Sequence, residues 1–160
     1  MTDVRRDPIA GQIIEGAIKV HRALGPGLLE SSYEVCLEHE LASRRLHVDR
    51  QVPLPIVYEG VRLDCGYRLD LVVNGDIVIE VKSVEKLLPL HTAQVLTYLR
   101  LSGARQLLMF NFNCVKLMDG LRSFLGDGKQ SSQRAWIGRP LEERPFPRAP
   151  GLGGGPGMTR

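Results

Sequence analysis

The sequence contains few cysteines and no long apolar run, and each shortage excludes a class of protein. Its three cysteines, Cys36, Cys65 and Cys114, are widely separated and form no CxxC pair. This spacing argues against a disulfide framework and against a thiolate zinc site, and apolar neighbours predict three small core residues. No apolar run approaches the roughly 20 residues of a membrane span. The polar start MTDVRRD is not typical of a signal peptide, so we expect a cytoplasmic protein without a membrane partner.

An excess of positive charge is missing from most of the chain. The formal net charge is +3, but residues 126–160 hold six of the 21 Lys and Arg and three of the 18 Asp and Glu. Residues 1–125 therefore keep fifteen charges of each sign. The basic total gives no indication of a nucleic-acid footprint on those residues.

The composition divides the chain into two parts. Residues 126–160 contain eight Gly and five Pro among few apolar residues, which predicts a disordered C-terminal tail because little burial would offset the backbone entropy. Residues 1–125 are long enough for one domain with a hydrophobic core.

Two helices are predicted at the start of this domain. Asp7 suits an N-cap, Pro8 the first helical position and Gly25 the helix end, and a second helix is predicted over about residues 28–44. Apolar residues at helical spacing are expected to face inward: Ile9, Ile13, Ala17, Val20 and Leu24 in the first helix, and Leu29, Tyr33, Cys36, Leu37 and Leu41 in the second.

The pattern then changes to short β-branched segments interrupted by Gly or Pro. Three antiparallel strands are predicted within residues 47–60, 61–73 and 76–84, and the prolines place the first at a sheet edge or in a bulge. A helix ending at Gly103, a buried strand in RQLLMFNFN and a closing hairpin follow. The order helix, helix, three strands, helix and then one or more strands predicts an α/β fold.

Three charged residues lie within the apolar stretch RLDLVVNGDIVIEVKS. Alternation along a strand places Glu80 and Lys82 on one face. A two-residue Asn74-Gly75 turn would put Asp70 on the opposite face, whereas a three-residue loop would put it on the same face. The Asn-Gly pair favours the two-residue turn, so the position of Asp70 stays open between these registers.

In the three-residue register, two carboxylates and an ammonium would crowd one half-buried surface. Neighbouring carboxylates repel each other, and unpaired buried charge is unfavourable. A divalent cation would resolve the conflict, and ligation by oxygen alone suits Mg²⁺ or Mn²⁺. With Lys82 beside it, such a site is suited to phosphodiester hydrolysis.

The spacing of these residues resembles a known nuclease pattern. Asp70, nine residues and then Glu80-Val81-Lys82 are similar to the D…ExK core of the PD-(D/E)XK nuclease superfamily. Leu69 stands where the family pattern has a proline before the aspartate.

Two further motifs agree with this resemblance. GLLESSY, with Gly27, Glu30 and Tyr33, matches the signature of the GxxExxY proteins, a bacterial and archaeal group assigned to that superfamily. Gln94 and Tyr98 in HTAQVLTYL resemble the QxxxY element that follows the core in RecB-type nucleases. The resemblance covers about residues 9–125.

This resemblance implies a restriction-endonuclease-like αβββαβ core, in which helices flank a mixed sheet. It also implies Mg²⁺ or Mn²⁺ as cofactor and assigns roles to individual residues. The implied metal ligands are Asp70, Glu80 and the carbonyl of Val81, with Glu30 holding the metal or its waters. The implied catalytic lysine is Lys82, with Gln94 and Tyr98 contacting DNA or positioning the lysine and water, and His91 on their face.

Three functions fit the sequence. The intact set of charged residues favours a metal-dependent nuclease acting on DNA. The neutral charge of residues 1–125 instead favours a non-catalytic binding or scaffold module of the same fold, since strong DNA binding draws on several phosphate contacts. Cleavage of RNA is the third. The short length of the domain fits a homodimer, a protein partner, or a flexible or single-stranded substrate.

Overall fold

In the computed structural model, which describes residues 7–127, a five-stranded sheet lies between two helices on one face and one helix on the other. The elements in chain order are α1 (Pro8–Leu24), α2 (Glu30–Ser43), β1 (Val48–Pro53), β2 (Ile56–Tyr58), β3 (Val61–Leu63), β4 (Arg68–Val73), β5 (Ile77–Lys82), α3 (Pro89–Ser102), β6 (Gln106–Asn111), a 3-10 turn (Leu117–Gly120) and β7 (Leu121–Leu125).

The first helix begins and ends at the predicted residues. The Asp7 carboxylate accepts hydrogen bonds from the N–H groups of Ile9 and Ala10 at 2.9 and 3.1 Å, and Pro8 follows as the first helical residue. Gly25, at φ 71°, ends the helix. Asp7 also forms an ion pair with Arg105, so the helix start is attached to the residue that precedes β6.

The sheet is mixed, with the order β1-β4-β5-β6-β7. Strands β5 and β6 are parallel and are joined through α3, while the other neighbours are antiparallel. The edge position predicted for the first strand is confirmed, because β1 is the outermost strand on one side of the sheet. The expected αβββαβ organisation, with helices flanking a mixed sheet, is confirmed.

Two apolar cores follow from the alternation of side chains along the central strands. One core packs β4, β5 and β6 against α1 and α2, through Leu71, Ile79, Phe110, Ile13 and Leu37. The other packs the opposite face against α3, through Val72, Val78, Met109, Val95 and Leu99. Glu80 and Lys82 have the same strand parity as Val78, and they therefore lie on the α3 face. Alternation does not place Asp70, because Leu69 and Val72 both belong to the α3 core and the strand is irregular between them.

Several details of the sequence prediction are wrong. The second helix begins at Glu30, so Leu29 is its N-cap and is 76% exposed instead of facing inward. Cys65 is exposed, in the segment between β3 and β4, and is not a core residue. Five strands instead of three precede α3, because β2 and β3 form a separate two-stranded sheet.

No helix within residues 7–127 is long and apolar enough to cross a membrane. The predicted tail, residues 126–160, lies outside the described residues except for its first two positions.

Candidate active site

The loop between β4 and β5 contains three residues, not the two that the Asn-Gly pair favours. Val73 pairs with Ile77, and the intervening residues are Asn74, Gly75 and Asp76. Asn74 and Gly75 both have positive φ, at 52° and 63°, and the N–H of Asp76 donates to the carbonyl of Val73 at 3.0 Å. The Asn-Gly turn therefore forms, and Asp76 is an extra residue after it.

A contact from another element holds this extra residue. The N–H of Arg105 donates to the carbonyl of Asp76 at 3.0 Å, and Arg105 Nε donates to Asp76 Oδ2 at 2.6 Å. The loop shifts the pairing by one position, so that continuing the register beyond Leu71 and Ile79 sets Asp70 opposite Glu80, whose pKa its charge raises. The register that a shared site requires is the one observed.

Strands β4 and β5 separate where Asp70 lies. Within the described strands, their pairing ends at Leu71 and Ile79, although β4 begins at Arg68. The Asp70 carboxylate spans the fork, because its Oδ2 accepts a hydrogen bond from the N–H of Val81 at 2.8 Å. Asp70 is thus held between two strands with its second oxygen available to the site.

Glu80 is buried, and only one of its two carboxylate oxygens has a partner among the described residues. Its side chain is next to Lys82, with 3.2 Å between Oε1 and Nζ, and the residue is 5% exposed. Within residues 7–127, no group forms a hydrogen bond with the buried Oε2 atom. A buried carboxylate oxygen without a donor is unfavourable and indicates a position for a missing partner.

A line of polar groups extends from Lys82 to α3. Lys82 Nζ donates to Gln94 Oε1 at 3.3 Å, and Gln94 Nε2 donates to the Tyr98 hydroxyl at 3.0 Å. Gln94 and Tyr98 are one helical turn apart and so share a face. His91 lies one turn earlier, where its Nδ1 accepts the N–H of Leu88 at 2.9 Å and caps the helix.

Burial, together with neighbouring negative charges, raises the pKa values of both carboxyl groups. Desolvation raises the pKa of Asp70 to about 6; the charges of Glu34 and Glu30 act in the same direction, while the Val81 N–H and Lys82 oppose it. Desolvation, followed by the charge of Asp70, raises the pKa of Glu80 to about 8, although Lys82 opposes it. Two carboxylates are therefore placed where protein groups alone do not stabilise two negative charges.

Glu30 connects α2 to the end of β5. Its Oε1 accepts the N–H of Ser83 at 3.1 Å, and the Ser83 hydroxyl donates to the carbonyl of Leu28 at 2.6 Å. The side chain is exposed at the edge of the site, and its charge acts on both Asp70 and Glu80.

A second helical carboxylate, Glu34, was missed in the sequence. It is 5% exposed and accepts a hydrogen bond from Gln51 Nε2 at 2.6 Å. Its negative charge raises the pKa of Asp70, as that of Glu30 does. The available signal was its position four residues after Glu30, which places both on one helix face.

Gln51 was also missed, and no local pattern distinguishes it. It has φ 54° in edge strand β1, between the pairs Arg50–Leu71 and Val52–Leu69, and it therefore lies beside Asp70. A left-handed conformation costs a non-glycine residue about 1–2 kcal/mol. Strain of this kind is often found at functional sites.

The GLLESSY motif has a structural role in this region. Gly27 has φ 94°, and the fully buried Tyr33 stacks on Phe112 with 4.5 Å between ring centroids. The Tyr33 hydroxyl donates to the carbonyl of Gly25 at 2.5 Å and accepts the N–H of Leu28 at 3.1 Å. Tyr33 thus fixes the segment that leads to Glu30.

The side chains that converge could supply only part of a metal shell. In the described part of the chain, no group of three or more His, Cys, Asp or Glu side chains is arranged to hold a metal ion. Asp70 and Glu80 are the carboxylates that face each other at the fork. A backbone carbonyl such as that of Val81, waters and substrate oxygens would have to complete the shell.

The sequence matches one family model, that of the PD-(D/E)XK nuclease superfamily, over residues 7–124. No match was found among the curated proteins or among the solved structures. Since the match extends from the start of α1 into β7 and includes the fork with Asp70, Glu80 and Lys82, the chain belongs to the PD-(D/E)XK nuclease superfamily.

Proposed function

We propose that this protein is a divalent-cation-dependent nuclease that hydrolyses phosphodiester bonds of DNA. The observation that carries the proposal is the buried, unpartnered Oε2 of Glu80 beside Asp70. Membership in the nuclease superfamily supports phosphodiester hydrolysis in general. The DNA substrate and the cation are our inference.

The residues present fit a small hard cation. The side-chain donors are carboxylate oxygens, which suit Mg²⁺ or Mn²⁺, and Mg²⁺ commonly takes one or two carboxylates plus waters and substrate phosphate. Asp70 and Glu80 would hold the cation, with the carbonyl of Val81 as a further ligand and Glu30 holding its waters. When bound, such a cation supplies Lewis acidity towards a phosphodiester oxygen.

Lys82 is the group that would act on the reacting atoms. Its ammonium is held by Glu80 Oε1 and Gln94 Oε1, so its position is defined by one strand and one helix. There it would orient the water whose oxygen forms the new bond to phosphorus as the P–O bond to the leaving sugar oxygen breaks, with the proton of the water released to solvent. It would also stabilise the charge that develops on the phosphoryl oxygens. Gln94, fixed by Tyr98, would be a positioning residue for Lys82.

We further infer membership in the GxxExxY group. The arrangement of its three signature residues supports this inference, since Gly27 takes a left-handed backbone, Tyr33 fixes the same segment, and Glu30 is brought to the site. Tyr33 is buried and acts as a structural residue.

Cleavage assays with matched variants test the nuclease proposal. Purified protein with Mg²⁺ or Mn²⁺ should degrade or nick DNA, and a chelator should stop the reaction. Asp70→Asn and Lys82→Ala should each lower the rate at least about 100-fold, with an unchanged circular dichroism spectrum. Lys116→Ala, which removes an exposed lysine, should leave the rate unchanged. Activity that survives both site substitutions would contradict the proposed site.

Calorimetry together with the cleavage assay distinguishes the nuclease from a non-catalytic module of the same fold. The neutral charge of residues 1–125 favours such a module, which would bind the cation in an Asp70-dependent manner but would cut no DNA. A parallel assay with RNA of the same sequence compares the two sugars.

A further inference from the structure

A second concave surface lies directly beside the charged site. It is a cavity of about 470 Å³ between α3 and the segments that carry Ile56 and Tyr67. This volume is within the usual range for small-ligand pockets, about 300–1,000 Å³. Gln94 and Tyr98 line the cavity, and Gln94 also contacts Lys82, so the cavity and the charged site share one wall.

The cavity differs from the charged site in that its walls are apolar and aromatic. Among its described lining residues there is no Asp, Glu, Lys or Arg. Two aromatic rings contribute to its walls, because Tyr67 and Tyr98 both line it and meet edge to face with 6.3 Å between ring centroids. Tyr67 is 46% exposed, which leaves ring surface available to a ligand.

Polar groups are placed at the margin of the apolar walls. Since His91 Nδ1 accepts the N–H of Leu88, the neutral ring carries its proton on Nε2, and His91 can donate from that atom into the cavity that it lines. Thr97 adds a hydroxyl to the same lining. A planar, weakly polar group with hydrogen-bonding edges fits this combination better than an anion or an aliphatic chain does.

We propose that this cavity binds an unpaired nucleobase of the strand whose phosphate is cleaved at Asp70, Glu80 and Lys82. This inference rests on the proposed function and specifies its substrate. A nucleotide has a charged half and a flat, uncharged half, and the molecule presents a charged site and an uncharged aromatic cavity side by side. The base would stack on Tyr67 while its phosphate reaches the Lys82 ammonium, which contacts Gln94 in the shared wall.

An unpaired base is required because the faces of a base are covered by its neighbours in a duplex. Enzymes that need access to a base act on single strands or move the base out of the stack. The charge balance of residues 1–125 also favours stacking, since a chain with equal numbers of positive and negative groups gains little from phosphate attraction alone. The preferred substrate is therefore single-stranded DNA, or DNA with an unpaired nucleotide at the cleavage position.

Binding measurements separate this proposal from the nuclease proposal. The Asp70→Asn protein is titrated with a fluorescent single-stranded DNA oligonucleotide and with the blunt duplex of the same sequence, and anisotropy is recorded. We expect the single strand to bind at least tenfold more tightly. Adding Tyr67→Ala should weaken single-strand binding about tenfold, within the range measured for base–aromatic stacking. Tyr67→Phe, which keeps the ring, should bind nearly as Asp70→Asn alone.

Two matched changes control for the effects of the substitutions. Tyr58→Ala removes an exposed tyrosine of β2 that does not line the cavity, and it should leave binding unchanged. Ala93→Leu narrows the cavity from an exposed helix position, and it should weaken binding as Tyr67→Ala does. Oligonucleotides with one abasic site, placed at each position in turn, should show a single position where loss of the base weakens binding.

The outcomes are distinguishable. Cleavage of duplex and single strand at equal rates, with binding independent of Tyr67, would overturn the nucleobase pocket and leave the nuclease proposal intact. Tyr67-dependent binding of single strands without cleavage would retain the pocket and remove the nuclease. A cavity that serves a protein or a small apolar molecule would give oligonucleotide binding insensitive to Tyr67 and Ala93, which also overturns the proposal.

Discussion

The carboxylate of Asp70 accepts a hydrogen bond from the backbone N–H of Val81, although the two residues are eleven positions apart and lie beyond the last pair of their strands, Leu71 and Ile79. A side chain thus takes the place of a ladder hydrogen bond at the point where the strands separate. The same bond holds the Asp70 carboxylate beside the residue that follows Glu80.

The raised pKa values predict an unusual pH dependence of stability. Because the folded pKa values of Asp70 and Glu80 lie near 6 and 8, above the ordinary 3.8 and 4.5, the folded state binds these protons more tightly than the unfolded state. Their contribution to the free energy of unfolding is therefore present below about pH 4 and is lost as pH rises to about 8. In chelator at pH 8, Glu80→Gln should be more stable than the wild type by at least about 1 kcal/mol.

Urea unfolding at pH 4 and pH 8 measures this difference, which should vanish at pH 4. Adding Mg²⁺ at pH 8 should then stabilise the wild type more than Glu80→Gln, by mass action. An equal stability gap at both pH values would contradict the assignment.

Removing the charge of Glu34 should lower the pKa of Asp70. Glu34 raises that pKa through its negative charge, and Glu34→Gln keeps an oxygen for the hydrogen bond from Gln51. NMR titration of the Asp70 carboxyl carbon measures the shift. Glu38→Gln, one turn further along α2 and paired with Arg50, is the matched control and should leave the pKa of Asp70 nearly unchanged.

The three-residue loop should be sensitive to its glycine. Gly75 has φ 63°, so Gly75→Ala should lower the free energy of unfolding by about 1–2 kcal/mol. Gly75→Asn should cost less, because asparagine tolerates this conformation. Denaturant unfolding gives the ranking, and equal stability of the alanine variant and the wild type would show that the left-handed turn is not required.

Tyr33 should contribute to stability through its hydroxyl as well as its ring. Tyr33→Phe keeps the stack on Phe112 but loses the hydrogen bonds to Gly25 and Leu28, so it should lower the free energy of unfolding by about 1 kcal/mol. Tyr58→Phe, at a position that is 66% exposed, should cost almost nothing. If both variants unfold alike, the two hydrogen bonds carry no net stability.

Capping residues and glycines predicted the ends of the helices well, because a single residue determines the backbone conformation there. Asp7 and Pro8 start α1, and Gly25 and Gly103 end their helices, because capping and left-handed geometry depend on the residue itself. The exposed Leu29 shows the limit of this reasoning, since apolar spacing does not determine whether a residue has entered the first turn. The additional pair β2 and β3 was missed because three-residue strands carry almost no periodicity.

The amino-acid sequence by itself determined which groups are available: two carboxylates and a lysine at strand spacing, a helical Gln-x-x-x-Tyr, and caps at the helix ends. Only the tertiary structure decided that the register sets Asp70 opposite Glu80, because the loop between β4 and β5 has three residues and Arg105, which follows α3, binds the third of them, Asp76. The tertiary structure also placed Gln51 next to Asp70 across the β1–β4 pairing, and Glu34 in hydrogen-bond contact with Gln51. Strand pairing depends on the number of loop residues, and the extra residue here is bound by a side chain 29 positions away in the chain, which no local pattern indicates.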